Sequence, residues 1–139
     1  MAEIVNNTSW VVDLERWPLV FIRPPSSGPL TSGEVNRYYQ SLEQVFARRR
    51  PYVVLYDVRG VFFSRSRRER MTEWTNRNDS LIRSHMIALA VVVSSELERA
   101  QVTAGFWRLR QSYHARIFEG LSEAERWLLA EFARGEGAN

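Results

Sequence analysis

The segment with the most reactive-looking chemistry is 64–70, SRSRRER, in which two serines are interleaved with arginines. Arginine side chains and helix N-termini both attract anions, so the segment is suited to binding a phosphate or another negative group. A phosphoryl group on Ser64 or Ser66 would be stabilised by the same groups. The structural alternative is a serine N-cap followed by a solvated Arg/Glu helix face. Arginines at a helix start oppose its dipole, and this conflict favours a negatively charged partner or ligand.

A second candidate residue is Asp57, which ends the apolar part of 51–60, PYVVLYDVRG. A carboxylate at a strand end can act as a general base or contact a ligand, because open α/β sheets bind ligands outside the carboxyl ends of their strands. The structural alternative is that Asp57 accepts backbone N–H groups in the following turn. No second carboxylate accompanies it in the sequence, which favours the structural role.

Catalytic and cofactor motifs are missing from the sequence. It contains no G-x-S-x-G, no G-x-x-x-x-G-K-[ST] and no G-x-G-x-x-G. It also has no cysteine, and His85 and His114 lie far apart without further ligands at a metal-binding spacing. We therefore predict a protein that is not an enzyme and that holds neither a metal nor a cofactor.

The composition predicts one domain with a real core, since 45% of the 139 residues are hydrophobic. All 19 basic residues are arginine, against 16 acidic ones, so the net charge is only +3. This mild excess disfavours nucleic acid as a partner. Residues 1–9 lack the apolar core of a signal peptide, and the longest apolar run, 86–93, is too short to span a bilayer. We expect a cytoplasmic protein.

The run at 51–60 is the element around which the others are arranged. Apolar and polar residues do not alternate along this run, which is typical of a strand in a parallel sheet that is covered on both faces. We predict further strands at 10–15, 19–23, 86–94 and 115–118. The first predicted helix begins at Thr31 or Ser32 and has the arginine triplet 48–50 in its last turn. Further helices are predicted at 67–83, with Asn78 on the apolar face, at 96–111 and at 122–134.

The resulting order is ββαβαβαβα, in a single domain at 10–134 between flexible ends at 1–9 and 135–139. The first two strands are expected to be antiparallel. Right-handed crossovers between the others then give a small α/β fold, with a mostly parallel sheet and an antiparallel edge strand.

This element order, together with the segments VVLYDVRGVFF and IFEGLSEAERWL, resembles the STAS/SpoIIAA-like family of small bacterial domains. The resemblance covers the chain from Trp10 to Phe132 and implies a fold shared with the anti-sigma-factor antagonists and the CRAL-TRIO domains. In the antagonists, a partner kinase phosphorylates the serine of an Asp-Ser-x-Gly turn after the central strand. Ser66 or Ser64 falls near that position here, but arginines replace the family's Asp and Gly.

The resemblance implies that the loop after the central strand and the start of the next helix form a partner-binding face. We therefore predict a non-enzymatic regulatory module that docks another protein through Arg59, Phe62, Phe63, Arg65, Arg67, Arg68, Arg70, Trp74 and Arg77. Arginine and aromatic side chains are favoured anchors at such interfaces. Tyr39 or Phe62 could equally form a homodimer contact.

Three alternatives stay open. The likeness to CRAL-TRIO domains implies a small anionic or lipid ligand, which would need a dry apolar cavity. An enzyme acting on a phosphorylated substrate would need a second acid or base near Asp57. Nucleic-acid binding would need the arginines to converge on one face and would weaken steeply with salt.

Overall fold

The computed structural model describes residues 10–25 and 32–137, and the predicted flexible segment 1–9 lies outside them. The described residues form strands β1 (Val11–Asp13), β2 (Leu19–Arg23), β3 (Tyr52–Asp57), β4 (Met86–Val92) and β5 (Ala115–Phe118), and helices α1 (Ser32–Ala47), α2 (Arg65–Arg77), α3 (Asp79–His85), α4 (Glu96–Ser112) and α5 (Leu121–Gly137).

The strands form one sheet in the order β1-β2-β3-β4-β5. β1 is antiparallel to β2, and every later pair is parallel, which confirms the predicted α/β class and its antiparallel edge strand. Because parallel crossovers are almost always right-handed, strands added in one direction place their connecting helices on one face of the sheet. The strand order never reverses, so the sheet lacks the crevice at which doubly wound sheets bind their ligands.

Each face of the sheet has its own hydrophobic core, and β3 contributes to both. Val54 belongs to the core that includes residues of α1 and α4, whereas Val53 and Leu55 belong to the core under α5. All three side chains are buried, which confirms the prediction of a strand covered on both faces. The first core also includes Tyr38, Leu42, Val45, Leu89, Val91 and Val102, and the second includes Ala88, Ala90, Val92, Ala124 and Leu128.

The helix predicted at 67–83 is two helices, α2 and α3, which separate at Asn78. The backbone of Asn78 has φ −108° and ψ 17°, outside the helical region. Its side-chain amide donates to the carbonyl of Trp74 at 2.9 Å, and its backbone N–H donates to the same carbonyl at 3.0 Å. The side-chain amide thus adds a second donor to the carbonyl that closes the last turn of α2, at the residue where the backbone leaves the helical region. The prediction of one continuous helix was wrong.

Two helix ends also differ from the prediction. α1 ends at Ala47, so the arginine triplet follows the helix and does not lie in its last turn. Arg49 takes a positive φ of 51°, and the Arg48 guanidinium lies 4.4 Å from the centroid of the Trp17 ring. At the other end of the chain, α5 continues to Gly137, past the predicted end at residue 134. Gly135 fits closely over Ile87 of β4, since a Cβ there would lie 3.0 Å from its side chain.

Candidate functional site

The carboxylate of Asp57 closes the carboxyl end of β3 and is only 2% exposed. The Arg59 guanidinium binds it in a bidentate manner, with Nε to Oδ1 and Nη2 to Oδ2 both at 2.9 Å. Arg23 of β2 adds an ion pair at 3.3 Å, and the backbone N–H of Arg59 donates to Oδ1 at 3.2 Å. The hydrogen bond to Asp57 raises the pKa of Arg59. Asp57 therefore has the structural role, and its prediction as a ligand contact is corrected.

The same correction applies in part to Arg59, which was predicted to contact a partner. Its side chain is 39% exposed, but its Nε and Nη2 groups are already bonded to Asp57. A planar guanidinium held by a bidentate carboxylate offers few donors to a second anion. Arg59 therefore belongs first to the turn that follows β3.

Glu98 of α4 is a residue of this region that sequence reasoning missed. Its carboxylate accepts the backbone N–H of Gly60 at 2.9 Å and that of Ser94 at 2.7 Å, so it joins the loops after β3 and β4. Burial opposes the charged form, but these hydrogen bonds outweigh it and lower the pKa of Glu98. The S-x-x-E spacing of Ser95 and Glu98 is a capping signature that marks the helix start. Nothing in the sequence marks the contact with Gly60.

The two serines at the start of α2 have different surroundings. Ser64 is the N-cap, and its hydroxyl accepts the backbone N–H of Arg67 at 3.2 Å. Ser66 is exposed, and the one hydrogen bond of its hydroxyl among the described residues is a long one of 3.4 Å with the hydroxyl of Ser64. Ser66 is therefore the more accessible of the two predicted modification sites.

Arg67 lies inside the protein, with only 5% of its surface exposed. Its guanidinium donates to the carbonyl of Phe62 at 3.1 Å and to that of Pro25 at 3.3 Å, and it lies 5.3 Å from the centroid of the Phe63 ring. Burial lowers its pKa. Arg67 thus ties the loop before α2 to the end of the segment after β2. Its prediction as a partner contact is corrected, because a buried side chain cannot touch a partner.

The aromatic residues predicted for the site also differ in how exposed their side chains are. Phe62 is 63% exposed, whereas Phe63 is half-buried against the core on the α1 side. Trp74 is half-buried too, and its ring stacks on that of Tyr39 with centroids 4.9 Å apart and planes 5° apart. Tyr39 is thereby engaged within the molecule, which leaves Phe62 as the exposed aromatic of the predicted surface.

The remaining predicted residues of α2 are Arg65, Arg68, Arg70 and Arg77, all of which are exposed. Arg65 pairs with Glu69 at 3.0 Å, and Arg77 pairs with Glu73 at 3.4 Å. Neither Arg68 nor Arg70 forms an ion pair with any described side chain. We call Phe62 together with these four arginines the α2 surface.

Two absences are properties of the described residues. Across residues 10–25 and 32–137, no three acidic or histidine side chains are grouped so that they could hold a metal ion. In the same part of the chain, no helix combines the length and the apolar character needed to cross a membrane.

The fold and the site together define a small α/β domain with a sequentially ordered mixed sheet and an arginine-rich surface on one crossover helix. Comparison with known proteins gave no match: no protein-family model, no curated protein and no solved structure proved significantly similar to this chain. The resemblance to the STAS/SpoIIAA-like family stays a prediction.

Proposed function

We propose that this protein is a non-enzymatic regulatory module of the cytoplasm that docks an acidic segment of another protein on the α2 surface. The observation that supports it most directly is the unbalanced charge of α2. Two of its exposed arginines, Arg68 and Arg70, have no carboxylate partner among the described residues, and its first turn contains no acidic residue.

This arrangement is unfavourable for the isolated domain. Positive side chains near a helix N-terminus oppose the helix dipole, at a cost of a few tenths of a kcal/mol each. An acidic peptide would remove that repulsion and gain charge-assisted hydrogen bonds to the free guanidinium groups. The exposed ring of Phe62, in the loop before α2, supplies an apolar anchor. Arginine and aromatic anchors of this kind contribute most of the affinity at interfaces.

A protein fits this surface better than a nucleic acid. Glu69 and Glu73 lie on the same helix among the arginines, and both are exposed. Their carboxylates would repel a continuous phosphate backbone, whereas a short peptide can place a single acidic residue against Arg68 or against Arg70 and avoid the glutamates. The likeness to the STAS/SpoIIAA-like family agrees with this proposal, because it implies a partner-binding face in the same region.

Photo-crosslinking from within the α2 surface tests the proposal. Phe62 would be replaced by p-benzoylphenylalanine, the protein irradiated in an extract of its own cells, and the crosslinked peptide sequenced by mass spectrometry. We expect an acidic segment of one protein. The variant Arg68→Glu/Arg70→Glu should lose the crosslink. The control Arg116→Glu/Arg126→Glu makes the same charge change at exposed arginines elsewhere that also form no ion pair with described residues.

A crosslink that survives in Arg68→Glu/Arg70→Glu, or that disappears equally in both variants, would contradict docking through this surface. A crosslink to a second copy of the chain would replace the proposed partner with a homodimer. A crosslinked peptide without acidic residues would contradict the charge argument.

A further inference from the structure

Two adjoining cavities lie beneath α2, on the α1 side of the sheet. The larger has a volume of about 130 Å³ and the smaller about 90 Å³. Both are lined by Tyr56, Met71 and Thr75, so they meet beneath the middle of α2. The larger one is walled mainly by aromatic and aliphatic side chains, among them Tyr39, Phe46, Tyr52, Trp74 and Leu89.

The composition of α2 explains why these cavities exist. Met71 and Trp74 are the only large apolar residues among its 13, and both are only half-buried. Crossover helices normally fill the space above a sheet with a wide apolar stripe. α2 cannot do so, and the space between it and the sheet residue Val91 is left unfilled by protein atoms.

Two buried polar atoms point to the chemistry of an occupant. The side-chain oxygen of Gln101 belongs to a residue that lines the smaller cavity, and it has no hydrogen-bond partner among the described residues. Tyr56 lines the same cavity, and its hydroxyl oxygen lies beside the hydroxyl of Tyr38, which interacts with it as a donor. The proton of the Tyr56 hydroxyl has no acceptor among the described residues. Buried polar atoms without partners are rare in proteins, and each one is costly.

We propose that the space beneath α2 is a binding site for a small uncharged aromatic molecule with one hydroxyl group, such as a simple phenol. A hydroxyl can donate to the oxygen of Gln101 and accept from the hydroxyl of Tyr56, so one group matches both atoms. A single ring fits where the two cavities meet, since their volumes of about 90 and about 130 Å³ together exceed the roughly 150 Å³ of a cavity that holds benzene. Water matches poorly, because the walls are largely apolar and a buried water needs several polar partners.

The site adjoins the proposed docking surface at Arg68, which is exposed and also lines the smaller cavity. The other residues that line the smaller cavity lie in α2, β3, β4 and α4 and in the loops beside them, so the two proposals share this one arginine. Because Arg68 keeps its contact with solvent, the uncharged groups of Gln101 and Tyr56 determine what binds in the buried part of the site.

Methyl NMR with two probes, p-cresol and toluene, tests the proposal. The probes differ by one hydroxyl group, and the methyl groups of Met71, Val91 and Val102 report on occupancy. We expect saturable shifts of these methyls, with p-cresol binding about three- to tenfold more tightly than toluene. The variant Gln101→Met keeps the side-chain volume but removes the acceptor, and it should reduce the advantage of p-cresol.

A cavity-filling variant provides the second arm. Thr75→Phe should place a ring in the shared part of the cavities and abolish saturable binding of both probes. Asn76→Phe makes the same kind of change at the exposed neighbouring position and should leave binding intact. No saturable shift with either probe, equal affinities for the two probes, or unchanged binding in Thr75→Phe would each overturn the proposal. Gln101→Met keeps the proposal testable if Thr75→Phe does not fold.

Discussion

The charged residues that look most reactive in the sequence are largely engaged by the fold. Asp57 is held by Arg59 and Arg23, and Arg67 is bonded to backbone carbonyls inside the protein. Burying a charge is costly unless it is paired or hydrogen-bonded, and the bonds these side chains make hold loops together, although the Nε of Arg67 has no partner among the described residues. Arg68 and Arg70 remain available for recognition, because they form no ion pair with a described side chain.

Glu98 gives a prediction at the level of single residues. Its pKa is lowered in the folded protein, so it contributes stability that is present above its ordinary pKa of 4.5 and is lost as the pH falls through the lower, folded value. The amide resonances of Gly60 and Ser94 should therefore titrate together, with an apparent pKa below 4.5. An NMR titration of the folded protein measures this directly.

The matched control for that titration is Glu98→Gln, which keeps the side-chain length and removes the ionisable group. The two amide resonances should then show no shared titration, and we expect the variant to be less stable by about 1 kcal/mol at neutral pH. Independent titration of Gly60 and Ser94 in the unmodified protein would show that Glu98 does not join the two loops.

At the level of elements, α2 differs from the other helices because it is poor in apolar residues and rich in arginine. It covers the aromatic side of the core without filling it, and all of its arginines except the buried Arg67 are exposed. The same composition therefore accounts for both the α2 surface and the cavities beneath it. A helix held by so little apolar contact is also the element whose stability should respond most to changes of charge.

Ser66 provides the corresponding prediction for this helix. The first turn of α2 contains no acidic residue, so Ser66→Asp should stabilise the helix through its dipole and the neighbouring arginines, by about 0.5 kcal/mol. Urea unfolding at low and high salt measures the gain, which should shrink as salt screens the charges. Ser66→Asn, a neutral residue of similar size, serves as the control. Equal stability of the two variants at low salt would contradict the electrostatic account.

At the level of the whole molecule, the sequential strand order leaves one face of the sheet to a single helix, α5. This helix packs on β3, β4 and β5, and β4 presents the small residues Ala88 and Ala90 toward it. Both alanines are fully buried, as are Ala124 and Leu128 of α5. Small side chains at this point let one helix lie close enough to cover the centre of the sheet.

Ala90→Leu should therefore force α5 away from the sheet and destabilise the protein by about 1–3 kcal/mol, the usual cost of overfilling a packed core. Thermal or urea unfolding measures the loss. Ala130→Leu makes the same substitution at an exposed position of α5 and should change stability little. A fully stable Ala90→Leu protein would mean that α5 can move without cost, contrary to the close packing seen here.

The sequence alone determined the class of the fold, because short apolar runs rich in valine and tyrosine, such as that of β3, alternate with helical patterns, as in a sheet covered on both faces. Periodicity likewise located most of the helices and strands. It could not show that the helix breaks at Asn78, since the side-chain bond to the Trp74 carbonyl and the non-helical backbone there depend on a local geometry that the residue type does not determine.

Only the tertiary structure decided which members of the arginine-rich segment are available for binding. Arg67 and Arg68 are neighbours of the same type, and their surroundings differ because Arg67 meets a carbonyl of Pro25, 42 residues away, whereas Arg68 remains exposed. The cavities beneath α2 were equally invisible in the sequence, because they arise from the fit between a helix and distant strands. Local sequence fixes what each segment can form, but burial depends on contacts between segments that only folding brings together.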